Sequence, residues 1–181
     1  MSQHPSYLRV FGTFARKTTG GGANLTSTYI ASNSLVDGTC DNVRSPKVKL
    51  TATSTLALYN QFVIEPMNDA WYDRANLGLY DVATGQRTVV APSFGRTYLA
   101  TGPNGVCVTA GQPGWAGPGP AWLPSTWSAA DLGAASRAGR AVQLDVGYGT
   151  DPLASGTGLW FDEVTLTNFY EQVADGQSNC P

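Results

Sequence analysis

The chain has 181 residues and a formal net charge of −2, so it is long enough for one domain with a proper core and short for two. Charged residues are only 13%, while Gly (21) and Pro (11) are plentiful, which argues against a helical protein. The 11 Lys and Arg form no basic stripe and no apolar run approaches the roughly 18 residues of a membrane span, which argues against nucleic-acid and membrane partners.

The first residues, Met1 to Ser6, lack the basic and apolar regions of a signal peptide. The expectation is therefore a mature domain cut from a longer secreted precursor, with a cytoplasmic protein as the alternative. Period-2 alternation predicts the main strands at 55–64, 75–82, 141–148 and 159–169, and shorter ones at 7–14, 28–36, 43–50, 86–90 and 105–110. Asp37-Gly38, Ala83-Thr84-Gly85, Asn104-Gly105 and the 155–158 segment supply turns between them. Gly20-Gly21-Gly22 reads as a loop tip, because no helix pattern follows to make a phosphate cradle. Residues 112–127 hold Pro113, Pro118, Pro120 and Pro124 with Trp115, Trp122 and Trp127, and read as a long ordered loop, too rich in proline for a strand. Ser128 with Asp131 looks like a capped single helical turn ending at Gly133. The prediction is one all-β domain over 1–181, a two-sheet antiparallel β-sandwich (jelly roll) of about nine or ten strands, with its core over 7–169 and a C-terminal tail at 170–181.

Three cysteines allow at most one internal disulfide. Cys40 and Cys107 are the expected pair, because Cys180 lies in the tail; three reduced thiols are the alternative. The single histidine, His4, sits near the terminus, which argues against Ser-His-Asp or Cys-His catalysis and against imidazole-ligated zinc or copper. Carboxylate pairs, such as Glu65 with Asp162, leave a jelly-roll glycosidase or lyase as an alternative.

Within 160–166, strict alternation puts Trp160, Asp162, Val164 and Leu166 on one face, taken as the core face. A buried carboxylate there needs a cation, an Arg, backbone N–H groups, or a bulge that turns it outward. Glu65 and Asp73 flank a second acidic segment with Trp71, Tyr72 and Arg74, which reads as further cation ligands, a binding rim, or a solvated loop. Trp115, Trp122 and Trp127, with Trp71 and Tyr72, are candidate ligand-binding rings; packing of the loop is the competing reading for the first three.

The run from Gly158 through Trp160, Asp162, Glu163 and Val164 to Leu166 resembles the last strand of galactose-binding-like jelly rolls. Cys40 to Leu50, with Ser45-Pro46 at its centre, Thr55–Glu65 leading to Tyr72–Gly78, and Asp131-Leu132 followed by Ala138-Gly139 and Tyr148–Asp151, are similar to earlier steps of the same pattern. The family includes carbohydrate-binding modules and the MAM-like accessory domains of secreted bacterial peptidases of the immune inhibitor A type. The resemblance implies a structural Ca²⁺ held in part by Asp162. It also implies a non-catalytic accessory module of a secreted or cell-surface protein that binds carbohydrate or a protein surface beside neighbouring domains. A structural, assembly or adhesion domain is the alternative.

Overall fold

The computed structural model describes residues 9–11, 14–18, 21–26, 28–32, 38–65, 71–153 and 156–171. His4 and Cys180 lie outside them, as does the middle of the acidic segment between Glu65 and Trp71. Alternation shapes the molecule. Leu56, Leu58, Asn60, Phe62 and Ile64 are buried while the side chains between them are only half covered, so this strand turns one face inward.

Eleven strands and one short helix form among the described residues: β1 (Arg9–Phe11), β2 (Ala15–Lys17), β3 (Tyr29–Ala31), β4 (Cys40–Arg44), β5 (Val48–Ile64), β6 (Arg74–Asp81), β7 (Arg87–Val89), β8 (Phe94–Gly95), β9 (Gly117–Trp127), α1 (Ala134–Arg137), β10 (Ala141–Gly149) and β11 (Gly158–Glu171). All pairings are antiparallel. One layer runs β1-β4-β10-β6-β7. The other runs β8-β9-β5-β11-β3-β2. The 17-residue β5 joins them, since Val48 and Lys49 pair with β10 before the strand crosses to lie between β9 and β11. Leu77, Leu79, Val142, Leu144, Val146 and Tyr148 from the first layer meet Leu56, Leu58, Phe62, Ile64, Leu159 and Phe161 from the second in one core. At about 1.5–3 kcal/mol for each large apolar side chain fully buried, this interface is the main stabilising term. The expected two-sheet sandwich is what forms.

Five local expectations change. The strand expected over 43–50 is two strands, β4 and the start of β5, because Pro46 has no N–H for a ladder and breaks the pairing with β10 between them. The stretch 105–110 is a 3-10 turn at Cys107–Thr109, closed by the Thr109 hydroxyl donating to the Val106 carbonyl at 2.7 Å. Residues 117–127 form a strand despite Pro118, Pro120 and Pro124. Strand β9 lies at the layer's margin, where β8 meets only Thr126 and Ser125, so missing N–H groups are tolerated. The Ser128–Asp131 cap forms as expected, with the Ser128 N–H donating to Asp131 Oδ2 at 2.7 Å, but α1 follows Gly133 instead of preceding it.

The fifth change concerns β11. Leu159 and Phe161 face the core, not Trp160 and Asp162. A β-bulge between Asp162 and Thr165, with Glu163 at φ 48°, switches the faces, so that Leu166 returns to the core while Val164 is 37% exposed. Alternation counted through a bulge misplaces every residue on one side of it.

Candidate ligand-binding face

The expected aromatic candidates divide sharply. Trp115 and Trp127 are core residues, 1% and 0% exposed, packed edge to face with centroids 6.1 Å apart. Their indole N–H groups donate to the Arg96 and Val90 carbonyls. They anchor β9 and the segment before it and present no surface to a ligand, so as ligand-binding candidates they are corrected. Trp71 and Tyr72 stand together at one end of the sandwich. The Trp71 ring lies against Gly117, and Tyr72 is 40% exposed.

Trp122 is different. It is half-buried on the outer side of the second layer, and β9 is irregular around it: Leu123 pairs with Asn60 and Gly119 with Phe62, leaving 120–122 opposite one residue of β5. The Arg96 guanidinium spans this irregularity, donating to the Gly119 carbonyl at 2.7 Å and the Ala121 carbonyl at 2.8 Å. Tyr29 of β3 sets its ring edge to face with Trp122 at 5.9 Å and with Trp160 of β11 at 6.4 Å. Three half-exposed rings from three strands thus share one outer face, with Tyr59 and Gln61 of β5 half-buried beside them. Sequence reasoning named Trp122 and missed the other two, since only the bulge in β11 reveals that Trp160 faces outward.

Asp162 lies on the same face, 6% exposed. Its Oδ2 accepts from the Ala23 N–H at 3.1 Å and the Thr26 hydroxyl at 2.5 Å, and its Oδ1 accepts from the Glu163 N–H at 2.8 Å. The charge is therefore met by two backbone N–H groups and a hydroxyl. Glu163 beside it accepts from Asn24 Nδ2 at 2.5 Å. Glu65 and Asp73 do not join this position. Asp162 pairs with Tyr59, and Glu65 lies six residues further along, roughly 20 Å away at strand rise. Glu65 Oε2 instead accepts the Asp73 N–H at 2.9 Å, and Asp73 Oδ1 accepts the Asp151 N–H at 2.8 Å, tying loops together at that end. Among the described residues no three His, Cys, Asp or Glu side chains converge on a point.

A polar network that sequence reasoning did not single out covers the outer side of the first layer. The carboxylate of Asp145, with no side-chain exposure, lies 2.6 Å from Arg44 Nε and 3.3 Å from Arg87 Nε, and Asn42 Nδ2 donates to it at 3.2 Å. The Arg44 guanidinium stacks on the Tyr80 ring at 3.7 Å. Burial lowers the pKa of the Arg87 guanidinium, and Asp145 opposes that shift. The loop around the 107–109 turn reaches this network, where Arg87 Nη1 donates to the Val108 carbonyl at 3.3 Å. That loop is fastened by the Cys40–Cys107 disulfide, with Cα atoms 5.6 Å apart. Its 3-10 turn sits directly on β10, where an added Cβ at Gly147 would stand 2.5 Å from Val108.

No family model matches the sequence, and no curated protein does. Among solved structures the chain is similar to the CBM22-1 and GH10 modules of the endo-1,4-β-D-xylanase 10B of Clostridium thermocellum in complex with xylohexaose, at 14% identity and a TM-score of 0.43. The match covers 89% of this chain and 26% of that one, so the chain spans about a quarter of that protein. A likeness this distant assigns no ligand.

Proposed function

We propose that this chain is a non-catalytic module that binds carbohydrate through the face carrying Tyr29, Trp122 and Trp160. The observation supporting this is that these three rings gather outside the core, half-exposed, on the outer face of one sheet layer. Aromatic rings held outside the core offer large apolar area at little entropic cost, which suits the apolar faces of sugars, and Gln61 adds a nearby hydrogen-bonding group. The disulfide supports a place in an oxidising compartment, as expected for an accessory module of a secreted protein.

Affinity electrophoresis in gels containing xylan, mixed-linkage β-glucan or galactomannan tests the reading. The wild-type chain should be retarded in at least one gel. Trp122→Ala and Trp160→Ala should each weaken binding about tenfold, the scale of about 1.4 kcal/mol that a ring at a binding centre contributes. No retardation on any polysaccharide, or full retention by both variants, rejects it.

The calcium ion implied by the family resemblance has a narrower place than expected. With Glu65 and Asp73 elsewhere, Asp162 and Glu163 are the carboxylates at the 21–26 turn, and two N–H groups already point at Asp162. We propose that hydrogen bonds carry the Asp162 charge.

A further inference from the structure

The indole of Trp122 receives little positional restraint from its own strand, because the β5–β9 ladder skips 120–122. Its N–H donates instead to the Gly21 carbonyl at 2.6 Å, a contact 101 residues away in sequence. Gly21 belongs to a tight turn. The Gly22 N–H donates to the Thr26 carbonyl at 3.0 Å, and the Thr26 N–H to the Ala23 carbonyl at 2.9 Å. The far side of that turn is fixed by Asp162, which receives Ala23 N–H and the Thr26 hydroxyl, while Asn24 donates to Glu163. The packing leaves no slack. A Cβ on Gly22 would overlap Thr26 Oγ1 and stand 2.8 Å from Asp162 Oδ2. Two residues before Asp162 on β11, Trp160 closes the circuit through Tyr29 back to Trp122.

We infer that Asp162 is a positioning residue for the aromatic face: by holding the 21–26 turn it sets where the Trp122 indole stands. This deepens the carbohydrate-binding reading and rests on it for the consequence in affinity, but the mechanical link between Asp162 and Trp122 does not. It explains why a carboxylate is buried on the outer side of a sheet, where an apolar side chain would cover the strand without needing three donors.

The test uses Asp162→Asn, Thr26→Val and Gly22→Ala in the full chain. The first removes the charge, the second the hydroxyl donor, and the third crowds Thr26 and the carboxylate together while leaving both groups chemically intact. Two readouts are taken well below each variant's melting temperature. In a Trp71→Phe, Trp160→Phe background, Trp122 is the tryptophan outside the core, and acrylamide quenching of its fluorescence reports its exposure. Quenching should rise and emission shift red in all three variants. In the otherwise native chain, affinity for the polysaccharide that retards the wild type should fall about fivefold, the effect of one hydrogen bond of about 1 kcal/mol. Folded variants that melt earlier but quench like the parent overturn the inference, since a merely structural carboxylate would behave that way. Should the wild type bind no polysaccharide, the carbohydrate reading falls while quenching alone decides the link. Should quenching rise with affinity unchanged, the link stands and Asp162 loses its role in binding.

Discussion

Replacing both Cys40 and Cys107 by serine should lower the melting temperature by roughly 8–16 °C. The two residues lie 67 apart in sequence, and closing a loop of that length removes about 4 kcal/mol of chain entropy from the unfolded state. For a domain of this size each kcal/mol shifts the midpoint by about 2–4 °C, giving the range stated. The native side adds to this. The bond fastens the 107–109 turn over Gly147 and beside Arg87, whose Nη1 donates to the Val108 carbonyl at 3.3 Å. Differential scanning calorimetry of wild type and double variant, without reductant, measures the shift, and limited proteolysis should open the variant first within 102–112. A change under about 2 °C would refute the reasoning, because neither loop entropy nor anchoring of the turn could then matter at the expected scale.

Two further outcomes follow from the buried charges. Asp145→Ala leaves Arg44 and Arg87 without their shared carboxylate and should cost about 3 kcal/mol in urea unfolding, the low end for a broken buried pair because Arg44 keeps 21% side-chain exposure; a loss below about 1 kcal/mol would show that water satisfies both cations. EDTA should leave the melting temperature unchanged, since three donors already satisfy Asp162; a fall of several degrees, abolished in Asp162→Ala, would instead establish the structural calcium ion.

The sandwich was readable because alternation is a local signal, and Leu56 to Ile64, Ala75 to Leu79 and Val142 to Tyr148 all keep it. The Cys40–Cys107 pair was readable from turn chemistry and from the position of Cys180. What failed was whatever depends on a partner distant in sequence. Trp160 and Asp162 were assigned to the wrong face because a bulge leaves no mark in residue types. Trp115 and Trp127 looked the same as Trp122 in composition, and only the path of β9 and of the segment before it, bridged to Ala75, sends two inward and one outward. The Asp145 network went unnoticed because Arg44 and Arg87, which meet its carboxylate, come from β4 and β7, far away in sequence.

The prolines of β9 have a consequence for behaviour in concentrated solution. An open sheet margin presents unpaired N–H and C=O groups to which a strand of another copy can add, the first step toward fibrils. From Gly117 to Trp122 the margin carries Pro118 and Pro120, which donate nothing, and the Gly119 and Ala121 carbonyls already accept from Arg96. An incoming strand finds few donors and acceptors free there. The same irregularity that turns Trp122 toward solvent therefore keeps a hydrophobic margin from recruiting neighbours, and the chain can display a tryptophan beside a sheet edge without polymerising through it.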